Sequence, residues 1–125
     1  MLFISAILFI LPGGLDPEII ETGSIKYWLW IPKIIKSESV SDIGIVENYN
    51  YIPQDGTQPL IIQTIILAKG DKENIEIKIK QHFIANGFTI NERHELSKGR
   101  QEVEFFVRPL KDNLWKVKIS LIELR

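Results

Sequence analysis

Residues 71–87, DKENIEIKIKQHFIANG, and the run that follows them, FTINERHELSKGRQEVEFFVRPLKDNLWKVKISLIEL over 88–124, decide the fold. Asp71 follows Gly70 and stands where a side-chain oxygen can accept from the first free N–H groups of a helix. Glu73 falls in the first turn, where the dipole favours a negative charge, and Asn86-Gly87 supplies a left-handed stop. On a 3.6-residue period Ile75, Ile79, His82 and Phe83 share one side, with Lys78 and Gln81 turned away. The segment from Ile75 to Lys80 also alternates apolar and charged as a strand would, with Gly70 to Asn74 as a hairpin turn. Its continuation through Phe83-Ile84-Ala85 breaks that alternation and favours the helix.

Three strands are predicted after the helix: Phe88–Leu96, Gln101–Leu110 and Leu114–Leu124, joined by turn residues at 97–100 and 111–113. Trp115, Val117, Ile119 and Leu121 alternate with Lys116, Lys118 and Ser120, and Val103, Phe105 and Val107 alternate with Glu102, Glu104 and Arg108. One dry face and one wet face follow, and the apolar side of the helix is the expected cover.

Working outward, Ile43–Ile52 and Leu60–Lys69 are expected to pair as a hairpin around a loop with Asp55-Gly56 at its centre. The second of them is apolar on both faces apart from Gln63 and Thr64, which suits an interior strand. Ser37–Asp42 has the composition of a linker. Ile25–Ile35, with Tyr27, Trp28 and Trp30 among aliphatics, is expected to be a core strand, or a membrane-interface segment with Lys26, Lys33 and Lys36 around it. Asp16-Pro17-Glu18 has the form of a helix start.

Residues 1–14 carry an apolar run, Met1–Leu11, closed by Pro12-Gly13-Gly14. Its length matches the apolar part of an export signal and falls short of the roughly 20 residues needed to span a bilayer. No basic residue precedes it, so a buried strand is the alternative. The expected organisation is therefore an anchor-like segment or buried strand at 1–14, and a single α+β domain over 15–125. From residue 43 its order is strand-strand-helix-strand-strand-strand, in a mostly antiparallel sheet.

Composition excludes several function classes. A net charge of −1, with no strongly basic segment, gives no general attraction to nucleic acid. With no Cys there is no disulfide framework, no thiolate metal site and no thiol nucleophile. No Gly-rich phosphate loop or nucleophile elbow occurs, and no cofactor is implied.

Three groups of residues remain as candidates. Glu92 and His94, read on one face of a strand with His82 on the helix above, form an acid/base or metal-binding set, while Arg93 would pair with Glu104. On the wet face Arg108, Lys116 and Lys118 gather beside Phe106, suited to an acidic protein partner or a carboxylate. In the loop from Tyr49 to Pro59, Tyr49, Tyr51 and Asp55 are suited to polar contacts. The expected function is a non-enzymatic binding or accessory protein of a bacterial-type cell envelope, or a secreted one, with membrane association through residues 1–35. The alternatives are a soluble, cytoplasmic protein-interaction module of inhibitor or immunity type, and a small enzyme or ligand sensor using Glu92, His94 and His82.

Overall fold

The computed structural model describes residues 17–54 and 58–124. Among them seven strands form one antiparallel sheet: β1 Glu18–Ile20, β2 Ile45–Ile52, β3 Leu60–Lys69, β4 Thr89–Ile90, β5 Leu96–Lys98, β6 Gln101–Lys111 and β7 Leu114–Glu123. Their spatial order is β1-β2-β3-β7-β6-β5-β4. Helix α1, Ile25–Trp30, a 3-10 turn at Lys33–Ile35 and helix α2, Lys72–Ala85, cover one face, which makes the architecture α+β.

The helix reading of 71–87 is correct. Ile75, Ile79 and Phe83 are buried, whereas Ile77, which a strand would set on one face with Ile75 and Ile79, meets solvent, as does Ile84. Asp71 occupies the cap position, but its side chain makes no capping bond; its carbonyl accepts from Ile75 N–H at 3.0 Å. His82 Nε2 reaches the Ile34 carbonyl at 2.6 Å, tying α2 to the 3-10 turn. β6 and β7 turn inward the side chains that their alternation predicts. β3 lies inside the sheet between β2 and β7, and Ile62, Ile66 and Ala68 stack on the covered face with Val117, Ile119, Leu121 and Val103.

Several expected elements are different. Phe88–Leu96 is not one strand: β4 and β5 form a small hairpin around residues 91–95. Asn91 Oδ1 accepts from the N–H groups of Arg93 and Glu95, both at 2.9 Å, and His94 has φ +62°. An Asn side chain that satisfies its neighbours' backbone competes with the ladder and ends it. Ile25–Ile35 is helix and 3-10 turn rather than strand, because Ser24 Oγ accepts from Tyr27 N–H at 3.1 Å and Pro32 stops the helix. Glu18 opens strand β1, which pairs with Tyr49–Tyr51, and starts no helix. Residues 37–42 are packed turns rather than a linker, with Val40 buried. The N-terminal run, Asp16 and the loop centre with Asp55 lie outside the described residues.

Candidate functional site

Among the described residues the helices lie on one side, and no element covers the opposite face of the sheet. Alternation assigns to it Asn48, Asn50 and Ile52 of β2, Ile61, Gln63, Ile65 and Leu67 of β3, Lys116, Lys118, Ser120 and Ile122 of β7, and Glu104, Phe106 and Arg108 of β6. Cross-strand register sorts these side chains into rows. Asn50, Gln63 and Ser120 form a polar row, with Asn50 Nδ2 donating to Gln63 Oε1 at 3.4 Å and Gln63 Nε2 to Ser120 Oγ at 3.2 Å. The next row runs Asn48, Ile65, Lys118, Phe106, and the one beyond it sets Leu67, Lys116 and Arg108 side by side.

A shallow groove of about 710 Å³ crosses the last two rows, lined by Asn48, Ile65, Phe106, Arg108, Lys116 and Lys118, with Glu47 at its rim. Ile65 is only 8% exposed although it lies on the open face, because its long neighbours lean over it. Phe106 is 64% exposed, an aromatic ring standing in water beside three cations. Among the described residues none of Arg108, Lys116 and Lys118 forms an ion pair. Glu102 and Glu104, the acids of the same strand face, do not balance them. Glu102 instead meets Arg93 at 3.6 Å, which places Arg93 against Glu102 and Glu95 rather than Glu104. Glu104 lies beside Ser120 in the polar row.

Sequence reasoning therefore located Phe106, Arg108, Lys116 and Lys118 together, and the structure brings them onto one groove. It missed Asn48 and Glu47. A bulge between Val46 and Asn48 re-phases β2, so simple counting along that strand loses the face. Gly44, just before the strand, passes so close to β3 that a Cβ there would lie 2.2 Å from the Leu67 carbonyl oxygen. Such an approach admits no side chain.

Tyr49 and Tyr51 belong to strand β2 and point into the covered face, not into a loop. The Tyr49 hydroxyl donates to the Ile35 carbonyl at 2.8 Å, and its ring lies 5.5 Å from that of Tyr27; the Tyr51 and Trp30 rings meet tilted, 5.0 Å apart. Burial pushes both phenols above their ordinary pKa, aided at Tyr51 by the Glu123 and Glu18 carboxylates. Tyr27 donates to Glu38 at 2.7 Å, and this bond holds the Glu38 carboxyl below its ordinary pKa.

His82, Glu92 and His94 are not assembled. His82 is engaged with Ile34 and lines a hollow with Asp42 and Lys78, whereas His94 lines another with Glu95 and Phe105. Glu92 is an exposed residue of the 91–95 turn. The strand that would have aligned Glu92 with His94 is the one that Asn91 breaks. Among the described residues no group of three His, Cys, Asp or Glu side chains could hold a metal ion.

Helix α1 carries a second exposed surface. Tyr27 turns inward, while Ile25, Trp28 and Leu29, at i, i+3 and i+4, form an apolar outward stripe, each more than 60% exposed. Lys36 Nζ stands 4.7 Å above the Trp28 ring. Among the described residues no helix is long and apolar enough to cross a membrane.

Comparison with protein-family profiles, curated proteins and solved structures finds no match.

Proposed function

We propose that this chain is a non-enzymatic binding protein whose recognition surface is the open face of the sheet, and that its ligand is a protein segment bearing carboxylates. The observation that carries this reading is the set Arg108, Lys116 and Lys118 around an exposed Phe106 on one groove, with no acidic side chain of the described residues paired to them. Like charges held side by side repel, and an aromatic ring gains by leaving water; an acidic partner relieves both. Bases of this kind steer encounter more than they add affinity, so binding weakens as salt rises.

The test is a titration of the isotope-labelled protein with a glutamate-rich peptide and with its glutamine counterpart, followed by NMR. Shifts confined to the groove with the acidic peptide alone, lost in Lys116→Glu/Lys118→Glu, support the reading. Equal response to both peptides, or shifts centred on Lys78 and Lys80 of α2, would sink it.

We also place the protein at the cell envelope or outside the cell. Met1–Leu11 has the apolar character of an export or anchoring segment, and the outward stripe of α1 with its Trp and Lys suits a bilayer interface. Intact mass and fractionation in a bacterial host test this. Material shortened near Gly14, or pelleting with membranes, is the expected outcome; full-length protein in the cytosol overturns the placement.

A further inference from the structure

Strand β6 has eleven residues and is paired along its length with β7, yet on its other side β5 accompanies only Gln101, Glu102 and Val103. From Glu104 onward its outer edge has no strand beside it among the described residues, and where β5 turns away a hollow of about 370 Å³ opens along it. Pro109 and a bulge close this free edge at its far end, leaving a window of Glu104-Phe105-Phe106-Val107-Arg108. An open edge carrying Phe and Val is a template for another strand.

The window is complementary to itself. Laid antiparallel on a copy of itself about Phe106, it sets Phe106 against Phe106 and Glu104 against Arg108 of the other copy, twice over by symmetry. Glu104, Phe106 and Arg108 all lie on the open face, so these pairs meet there, while Phe105 and Val107 meet each other on the covered face. The hydrogen-bond phase agrees. Gly99-Arg100 is a two-residue turn closing on Lys98 and Gln101, with Gly99 at φ +59°. Alternation from that closing pair directs the N–H and C=O groups of Phe105 and Val107 outward, free for a second strand, and brings Pro109, which has no N–H, to the same outward phase. The facing Glu104–Arg108 and Phe106–Phe106 pairs are then of the close kind, with Cα atoms about 4.5 Å apart.

We infer that the partner of this edge is a second copy of the chain, joined through β6 into one continuous sheet. Arg108 then finds in Glu104 of the other copy the carboxylate it lacks in its own, and two open faces become one surface carrying both Lys116–Lys118 pairs. The inference goes beyond the binding reading and does not depend on it, but it engages Arg108 and Phe106, so in the dimer Lys116 and Lys118 are the bases left for an acidic segment.

Sedimentation equilibrium of the full chain, from about 5 to 500 µM, tests it with charge reversals. The wild type is expected to dimerise in this range. Glu104→Arg and Arg108→Glu each turn two attractive pairs into two repulsive ones and weaken the dimer by about 30-fold. Mixing these two variants restores it, since every facing pair is again opposite in charge. Lys116→Gln/Lys118→Gln, which removes both charges without setting a carboxylate beside Arg108, leaves dimerisation in place, so loss of acidic-peptide binding is read separately. A wild type that stays monomeric throughout overturns the inference, as does a dimer that survives the single reversals or is not restored by mixing.

Discussion

Thr64→Val should stabilise this protein. Thr64 lies on the covered face of β3, fully buried, facing Tyr49 on one side and Ile119 on the other, and its hydroxyl has no hydrogen-bond partner among the described residues. A buried, unsatisfied hydroxyl has surrendered its water contacts for nothing, a loss of about 1–3 kcal/mol. Replacing it with a methyl group of nearly the same size removes that loss and adds apolar contact in the middle of the sheet. The expected gain of about 1–2 kcal/mol corresponds to a rise in Tm of roughly 3–8 °C for a domain of this size. In urea the midpoint should move up by about 0.5–1 M with the slope unchanged. Thr64→Ser serves as the control: it keeps the hydroxyl, loses a buried methyl and should destabilise by about 1 kcal/mol. A Val variant no more stable than the wild type refutes the reasoning, because the hydroxyl would then have a partner worth as much as the methyl.

The remaining predictions concern the phenol buried next to Thr64 and the two surfaces. Tyr49→Phe leaves the Ile35 carbonyl unpaired and should lose about 1 kcal/mol at pH 7. Because the folded pKa of Tyr49 is raised above its unfolded value, its stability is complete below about pH 10 and is lost as pH climbs past it, by about 1.4 kcal/mol for each pH unit while the buried phenol keeps its proton. Urea midpoints at pH 7 and pH 11 should therefore converge between wild type and Tyr49→Phe, with a smaller slope remaining from Tyr51; parallel losses in both proteins would contradict this. Lys116→Glu/Lys118→Glu is expected to abolish the response to an acidic peptide without lowering stability, since both side chains lie on the open face. Glu104→Arg and Arg108→Glu should dissociate the dimer singly and reassociate when mixed.

Periodicity, caps and turns made much of this molecule legible before its structure. The helix over 72–85 and the long strands β6 and β7 repeat their pattern often enough to outvote local ambiguity, and the alternation in β6 and β7 alone puts Phe106, Arg108, Lys116 and Lys118 on one face. Periodicity fails where a pattern is short or uniform. Ile25–Ile35 is apolar at nearly every position, so neither period stands out, and a single Ser24 cap with Pro32 makes it helical. Asn91 breaks the expected strand at 88–96 through two side-chain bonds, which separates Glu92 and His94 and dissolves the acid/base reading. Tyr49 and Tyr51 alternate like any strand residues, but the side on which they fall depends on the bulge at Glu47.

What the sequence determines by itself is which faces are apolar and which side chains share one, because those follow from backbone periods of 3.6 and 2. What only the tertiary structure decides is which strands become neighbours and where a ladder stops. The order β2-β3-β7-β6 brings Asn48 and Ile65 to the cations of β7 and β6, and the shortness of β5 leaves the Glu104–Arg108 edge without a neighbour among the described residues. Both depend on long-range pairing, in which residues far apart along the chain compete for the same edge, and no local pattern records the outcome.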